Sequence, residues 1–110
     1  MPAKNKIRGN ALEREVVKMA RERGFNAERA WGSDGKSLGE HSEVDVRIRN
    51  FNTYKIQCKR VKRLAKYLTP SEHVDFQVVR EDRGKAMAVI PLDNLLKMLN
   101  IIEECIADRR

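Results

Sequence analysis

The stretch from Val44 to Arg60, VDVRIRNFNTYKIQCKR, constrains the fold more than any other part of this chain. Val44, Val46 and Ile48 alternate with polar residues, and after the turn Asn50 to Asn52 the residues Ile56 and Cys58 do the same. Period-two alternation marks a strand with one buried face, and two such runs across a short polar turn predict an antiparallel hairpin. The other face carries an acid, an amide and a lysine: Asp45, Gln57 and Lys59. Any fold built on this hairpin needs a second layer over the apolar face.

The flanking sequence supplies it. Asn10 reads as the N-cap of a helix over 11–23, stopped by Gly24, with Leu12, Val16, Val17, Met19 and Ala20 on one face. Phe25 to Trp31 predicts a first strand and 32–42 a polar loop rich in glycine and serine; Glu43 to Arg49 and Thr53 to Arg60 are the hairpin. Residues 60–68, RVKRLAKYL, predict a basic helix. His73 to Arg80 and Ala86 to Ile90 predict a second hairpin, turning at 81–85. Asp93 can cap a last helix through about Ala107, whose apolar residues cover more than half its circumference. Such a helix is buried on more than one side, and one side can face a partner subunit. The order α-β-β-β-α-β-β-α predicts an α/β fold with a central mixed β-sheet flanked by helices. The expected organisation is one domain over 1–110, with residues 1–9 a basic flexible arm.

The charge balance points to an acidic partner. Lys and Arg number 23 against 16 Asp and Glu, a formal +7, and nucleic acid is the commonest partner of such a surface. Cys58 and Cys105 form no CxxC pair or Cys/His cluster, so a zinc site is not expected, and both read as buried thiols of a reducing compartment. The N-terminus is basic without an apolar run behind it, and no stretch approaches a membrane span. The expectation is a soluble, cytoplasmic protein.

Glu13 is the first candidate for chemistry. At 100° per residue it falls inside the apolar stripe, between Ala20 and Val17, whereas Arg14, Glu15, Lys18, Arg21 and Glu22 fall outside. Two readings stay open: a capping box with Asn10 three residues earlier, or a carboxylate aimed at the sheet because something there needs it. Asp45 points away from Val44 and Val46, and strand pairing brings it close to Gln57 or Lys59. A solvated hairpin face is the ordinary explanation. A carboxylate, an amide oxygen and a backbone carbonyl, here that of Cys58, can also hold a hard divalent cation. A lysine beside it can stabilise charge on a phosphate or orient water.

This pattern resembles the PD-(D/E)xK nuclease superfamily, and within it the archaeal-type Holliday junction resolvases and their phage-encoded relatives. The residues that carry the resemblance are RGNALEREVVKMARERGF at 8–25, WGS at 31–33, EVDVRI at 43–48 and IQCKR at 56–60, with KRLAKYL and QVVREDRGKAMAVIPLDNLL downstream. The resemblance implies a restriction-endonuclease-like core and a metal-dependent endonuclease, with Mg2+ as cofactor and Mn2+ as substitute. It implies metal binding by Glu13, Asp45, Gln57 and the Cys58 carbonyl. Lys59 matches the catalytic lysine, and Ser33 a serine that supports the site or contacts DNA. Arg60, Lys62, Arg63 and Lys66 follow directly and are candidate phosphate contacts, extended by Lys36 in the loop and by Lys4, Lys6 and Arg8 in the arm. The implied substrate is a four-way junction, and the implied assembly a homodimer with two sites for opposing strands.

Two positions depart from the superfamily pattern. Val44 stands where a proline commonly precedes the aspartate, and Gln57 stands where a glutamate is usual. The amide removes one negative charge from the site, for which Glu40 or Glu43 can compensate. Two other readings follow from the same residues: a general duplex or flap nuclease or nickase of the same fold, or a catalytically weak protein that binds branched DNA.

Overall fold

The computed structural model describes the backbone of residues 4–30 and 34–109, with side chains described from residue 10 within those ranges. Helix α1 spans Lys4–Glu22 and strand β1 Asn26–Arg29; β2 (Val46–Arg49) and β3 (Thr53–Ile56) form the expected hairpin. A second hairpin pairs β4 (Gln77–Val79) with β5 (Met87–Val89), and α2 runs from Leu92 to Asp108. The α/β class holds, consistent with a restriction-endonuclease-like core.

One helix starts earlier than the sequence suggests. α1 continues N-terminally through Gly9 and Asn10, so Asn10 is not a cap and residues 4–9 are helical rather than a loose arm; residues 1–3 lie outside the described residues. The capping-box reading of Glu13 falls with it. The C-terminal end is as expected. Gly24 takes φ 88°, its N–H bonds Arg21 O, and Phe25 N–H reaches back to Ala20 O, which satisfies the last carbonyls as glycine-terminated helices do.

β2 is the central strand of a three-stranded antiparallel sheet, ordered β1-β2-β3. The register sets Ala27 opposite Ile48 and Val46 opposite Ile56. Val46, Ile48 and Ala27 are wholly buried, against Val16, Val17 and Ala20 of α1 and Leu96 of α2. Phe25 meets Tyr54 edge-on, with ring centroids 6.3 Å apart. Burying these side chains is the main stabilising term, at roughly 1.5–3 kcal/mol for each large one. On the opposite face Arg47 pairs with Glu28 and Glu40, Arg49 with Glu28, and Lys55 with Glu40. Hydrogen bonds from Arg47 first, then the charges of both arginines, hold the Glu28 carboxyl below its ordinary pKa.

The loop before β2 is fixed rather than loose. Residues Gly35–Leu38 form a 3-10 turn capped by the Asp34 carboxylate, which accepts from Lys36 N–H at 3.0 Å. Arg47 Nη1 donates to Leu38 O at 2.6 Å and ties the turn to the sheet. Gly35 is required here by space: a Cβ would overlap the His41 carbonyl and lie 2.8 Å from that of Val44.

The segment from Arg60 to Pro91 departs from expectation. The basic helix over 60–68 is absent except for a one-turn 3-10 piece at Lys66–Leu68. β4 and β5 pair with each other in a sheet separate from β1-β2-β3. The radius of gyration is 15.5 Å, against about 13 Å for a close-packed chain of this length. The segment is an arm.

Candidate active site

α1 supplies Glu13, which is 3% exposed although charged. It sits one helical turn before Val16 and Val17, on the face that packs on the sheet. A carboxylate so buried needs a cation or hydrogen bonds. Arg29 provides the cation: its Nε lies 3.7 Å from Glu13 Oε1. Arg29 follows Phe25 and Ala27 on the inward face of β1, and both of those are buried. That alternation was the sequence signal for it, a cation at an inward position matching an acid at an inward position.

Asp45 lies just before β2. Its main chain is held on both sides: Ala30 N–H donates to Asp45 O at 2.8 Å, and Asp45 N–H donates to Ile56 O at 2.9 Å. Its carboxylate is aimed by the backbone of the neighbouring segment, with Cys58 N–H donating to Oδ2 at 2.7 Å. This bond links Asp45 to the Gln57–Cys58–Lys59 segment, as the pairing argument from sequence required. Gln57 and Lys59 are exposed on either side of half-buried Cys58.

The Cys58 thiol reports the local field. Burial chiefly, then the charges of Asp45 and Glu13, push its pKa up to about 11. Both carboxylates disfavour the thiolate at Cys58, and the thiol is neutral at ordinary pH. Cys105, expected to be buried, is exposed on α2.

Among the described residues no three His, Cys, Asp or Glu side chains come together as a metal cage. Glu40 is committed to Arg47 and Lys55 on the outer sheet face, and Glu43 is exposed. The candidate acidic donors are Glu13 and Asp45. Magnesium keeps several waters and is commonly held by one or two carboxylates, so two acids with amide and carbonyl oxygens suit it.

Arg60 flanks Ala11, Leu12 and Glu15 of α1 across a small groove. Lys36, Lys62, Arg63 and Lys66 are exposed. A groove of about 550 Å³ along α1 is lined by Arg14, Lys18, Arg21 and Arg29 with Glu22; the sequence set the helix residues among them outside the apolar stripe but did not mark them as DNA contacts. Arg21 also donates to Ala27 O on the edge of β1, from Nη2 at 2.8 Å, and so occupies an edge carbonyl that another strand could otherwise pair with. Ser33 and the side chains of Lys4, Lys6 and Arg8 lie outside the described residues.

No helix among the described residues is long and apolar enough to cross a membrane. No curated protein and no solved structure matches the chain. A family model does: the archaeal Holliday junction resolvase (Hjc) model matches residues 4–106, nearly the whole chain. With Glu13, Asp45 and the Gln57–Lys59 segment in their order on one helix and one hairpin, this chain belongs to the archaeal Holliday junction resolvase (Hjc) family of structure-specific DNA endonucleases.

Proposed function

We propose that this chain hydrolyses phosphodiester bonds at four-way DNA junctions with Mg2+, or Mn2+ in its place. The site is Glu13, Asp45, Gln57 and the Cys58 carbonyl, with Lys59 beside them and Ser33 in support. The observation that carries the reading is the 2.7 Å bond from Cys58 N–H to Asp45 Oδ2, which joins the strand carboxylate to the segment between an amide and a lysine, with the buried acid Glu13 on the helix packed over the sheet.

The chain's own groups divide the work. Arg29 sets a cation 3.7 Å from the buried Glu13 carboxyl. The Cys58 N–H fixes one oxygen of Asp45, which leaves Oδ1 for the ion. Lys59, exposed at the mouth, meets the charge that develops on the phosphate and positions water. When bound, the ion supplies Lewis acidity toward the phosphate and lowers the pKa of water. Arg60, Lys62, Arg63, Lys66 and Lys36, with Lys4, Lys6 and Arg8 on α1, hold the DNA backbone. The groove of Arg14, Lys18 and Arg21 extends that track. Two copies related by a two-fold axis would present two sites to opposing strands of a four-way junction. The two cysteines form no disulfide, which suits the reducing cytoplasm.

Gln57 favours one rival, a branched-DNA-binding protein with little catalysis. The metal dependence of junction cleavage separates the two. Cleavage should stop in EDTA and return with Mg2+ or Mn2+. Gln57→Glu, which restores a carboxylate, should reach half-maximal rate at about a tenfold lower Mg2+ concentration. Cleavage that persists in EDTA contradicts the metal-dependent reading, and junction binding without cleavage at any metal concentration establishes the rival.

A further inference from the structure

Arg47 is buried where the strand period would leave it in solvent. It alternates with Val46 and Ile48 and so belongs to the polar outer face of β2, yet its side chain is 14% exposed. A guanidinium taken that far out of water needs acceptors. It finds three, on three segments. Nη1 donates to Leu38 O at 2.6 Å and to Glu40 Oε2 at 3.3 Å, and Nη2 donates to Glu28 Oε1 at 3.3 Å. Two of these acceptors belong to the loop between β1 and β2. The other Glu40 oxygen faces Lys55 Nζ at 3.9 Å, so the loop is held from β2 and β3 together.

The register shows what lies beside this clamp. Glu28, Arg47 and Lys55 stand opposite one another across β1, β2 and β3. Asp45 precedes Arg47 by two residues and Gln57 follows Lys55 by two. They make the next row of the same face, about 7 Å along the strands. The clamped turn is stacked on the chain that leads into Asp45: Gly35 N–H donates to Ser42 O, and a Cβ on Gly35 would lie 2.8 Å from the Val44 carbonyl. Lys36 is the next residue. Its N–H is fixed by the Asp34 carboxylate, and its side chain is exposed.

We infer that Arg47 is a positioning residue for the proposed cleavage. By gripping Leu38 O and Glu40 it fixes the 34–40 turn beside the row of Asp45 and Gln57, and so holds the Lys36 ammonium on a DNA phosphate at the mouth of the site. Arg47 acts through Lys36, since its own guanidinium is committed to protein acceptors. The phosphate contact rests on the DNA-cleaving reading above; the clamp rests on the geometry alone. Arginine suits the task because its planar fork spans acceptors on the loop and on β1 at once, which a single ammonium does not.

A double-mutant cycle on four-way-junction binding tests this, run in EDTA so that no cleavage is needed. Lys36→Gln should weaken binding about fivefold and lower the salt slope by about one, the loss of one phosphate contact. Arg47→Met, which keeps the packed stem, should do the same, and the double variant should bind no more weakly than Arg47→Met. Losses that multiply overturn the inference, as does a Lys36→Gln chain that binds like wild type. Hydrogen exchange without DNA reads the clamp itself. The Gly39 and Glu40 amides, bonded to Lys36 O and Gly35 O, should exchange at least about tenfold faster in Arg47→Met, with the β2 amides unchanged. Equal exchange overturns the clamp. Should Arg47→Met fail to fold, Glu40→Ala carries the test by sign. Charge alone says that removing an acid tightens DNA binding; release of the turn should instead weaken it about twofold or more, and tighter binding overturns the inference. Cleavage in Mg2+ is followed on the same samples. A wild type that cuts while the two losses multiply sinks the clamp alone, and one that shows the coupling but never cuts sinks the nuclease reading alone.

Discussion

Replacing Asp45 with alanine should lower cleavage of a four-way junction by about a thousandfold or more while junction binding stays equal or tightens. A thousandfold is about 4 kcal/mol of transition-state stabilisation, within what a bound divalent ion contributes to phosphodiester hydrolysis. The loss is large because the acidic donor set among the described residues is small. With Gln57 neutral, Asp45 is one of two carboxylates in the proposed site, and Glu40 is paired with Arg47 and Lys55. Binding is spared because removing a negative charge from a basic surface reduces repulsion of phosphate. Alanine also deletes the acceptor for Cys58 N–H, worth about 1 kcal/mol. Asp45→Asn is therefore the sharper variant, since it keeps an oxygen for that bond and removes the charge. Single-turnover cleavage by both variants, with binding measured by fluorescence anisotropy, gives the answer. Equal losses place the effect in the charge. A retained rate in Asp45→Asn would assign Asp45 a purely structural role.

The second large effect is on stability. Glu103 is 2% exposed and accepts four hydrogen bonds, from Phe51 N, Asn52 N, Asn52 Nδ2 and Tyr54 Oη. Together they pin the β2–β3 turn to α2. Glu103→Ala would strand these donors in a largely apolar setting at about 1–3 kcal/mol for each one that water cannot reach. We expect a loss of about 3–4 kcal/mol, or about 12–20 °C in Tm, by urea and thermal unfolding. Burial raises the Glu103 pKa, but the bonds from Tyr54, Phe51 and Asn52 outweigh it and hold the group below its ordinary value. The sign follows from that depression. The stabilisation is fully present above the unfolded carboxylate pKa and is lost as pH falls through the lower folded value. The wild type should therefore lose stability in acid more steeply than Glu103→Ala does. Equal acid slopes would remove Glu103 from the account of stability. Cleavage by this variant below its melting point should be near normal, because the turn lies at the far end of β2 and β3 from Asp45 and Gln57.

Sequence logic succeeded where one residue contradicted a strong period. The β2–β3 hairpin was legible because Val44, Val46 and Ile48 alternate without a break. Glu13 stood out because it broke an apolar stripe, and it is buried as that break implied. The same reasoning applied to α2 would have found Glu103, which continues the spacing of Leu92, Leu96 and Leu99. On β1 it would have found Arg29, which follows Phe25 and Ala27.

The failures have physical causes. Gly9 and Asn10 are poor helix formers and good caps, so they read as a start, yet α1 runs through them. Residues 60–68 have good helix formers in Lys, Arg, Leu and Ala. A nine-residue helix needs a surface to pack on, though, and Val61 and Leu64 stay more than half exposed. With nothing to pack on, one 3-10 turn remains. The α/β class and the order of strands were legible throughout. That β4 and β5 stand apart as a second sheet was not, because strand periodicity does not say which strands pair. Every pairing among the described strands is antiparallel.

The central claim is that the site on α1 and the β2–β3 hairpin cuts branched DNA. Its most direct test is to map nicks made by the wild-type chain in Mg2+ on an end-labelled four-way junction and on a linear duplex of the same sequence. Paired nicks, placed symmetrically on opposing strands near the branch point and absent from the duplex, are the predicted result. Equal cutting of both substrates would contradict junction specificity and leave a general nuclease of this fold.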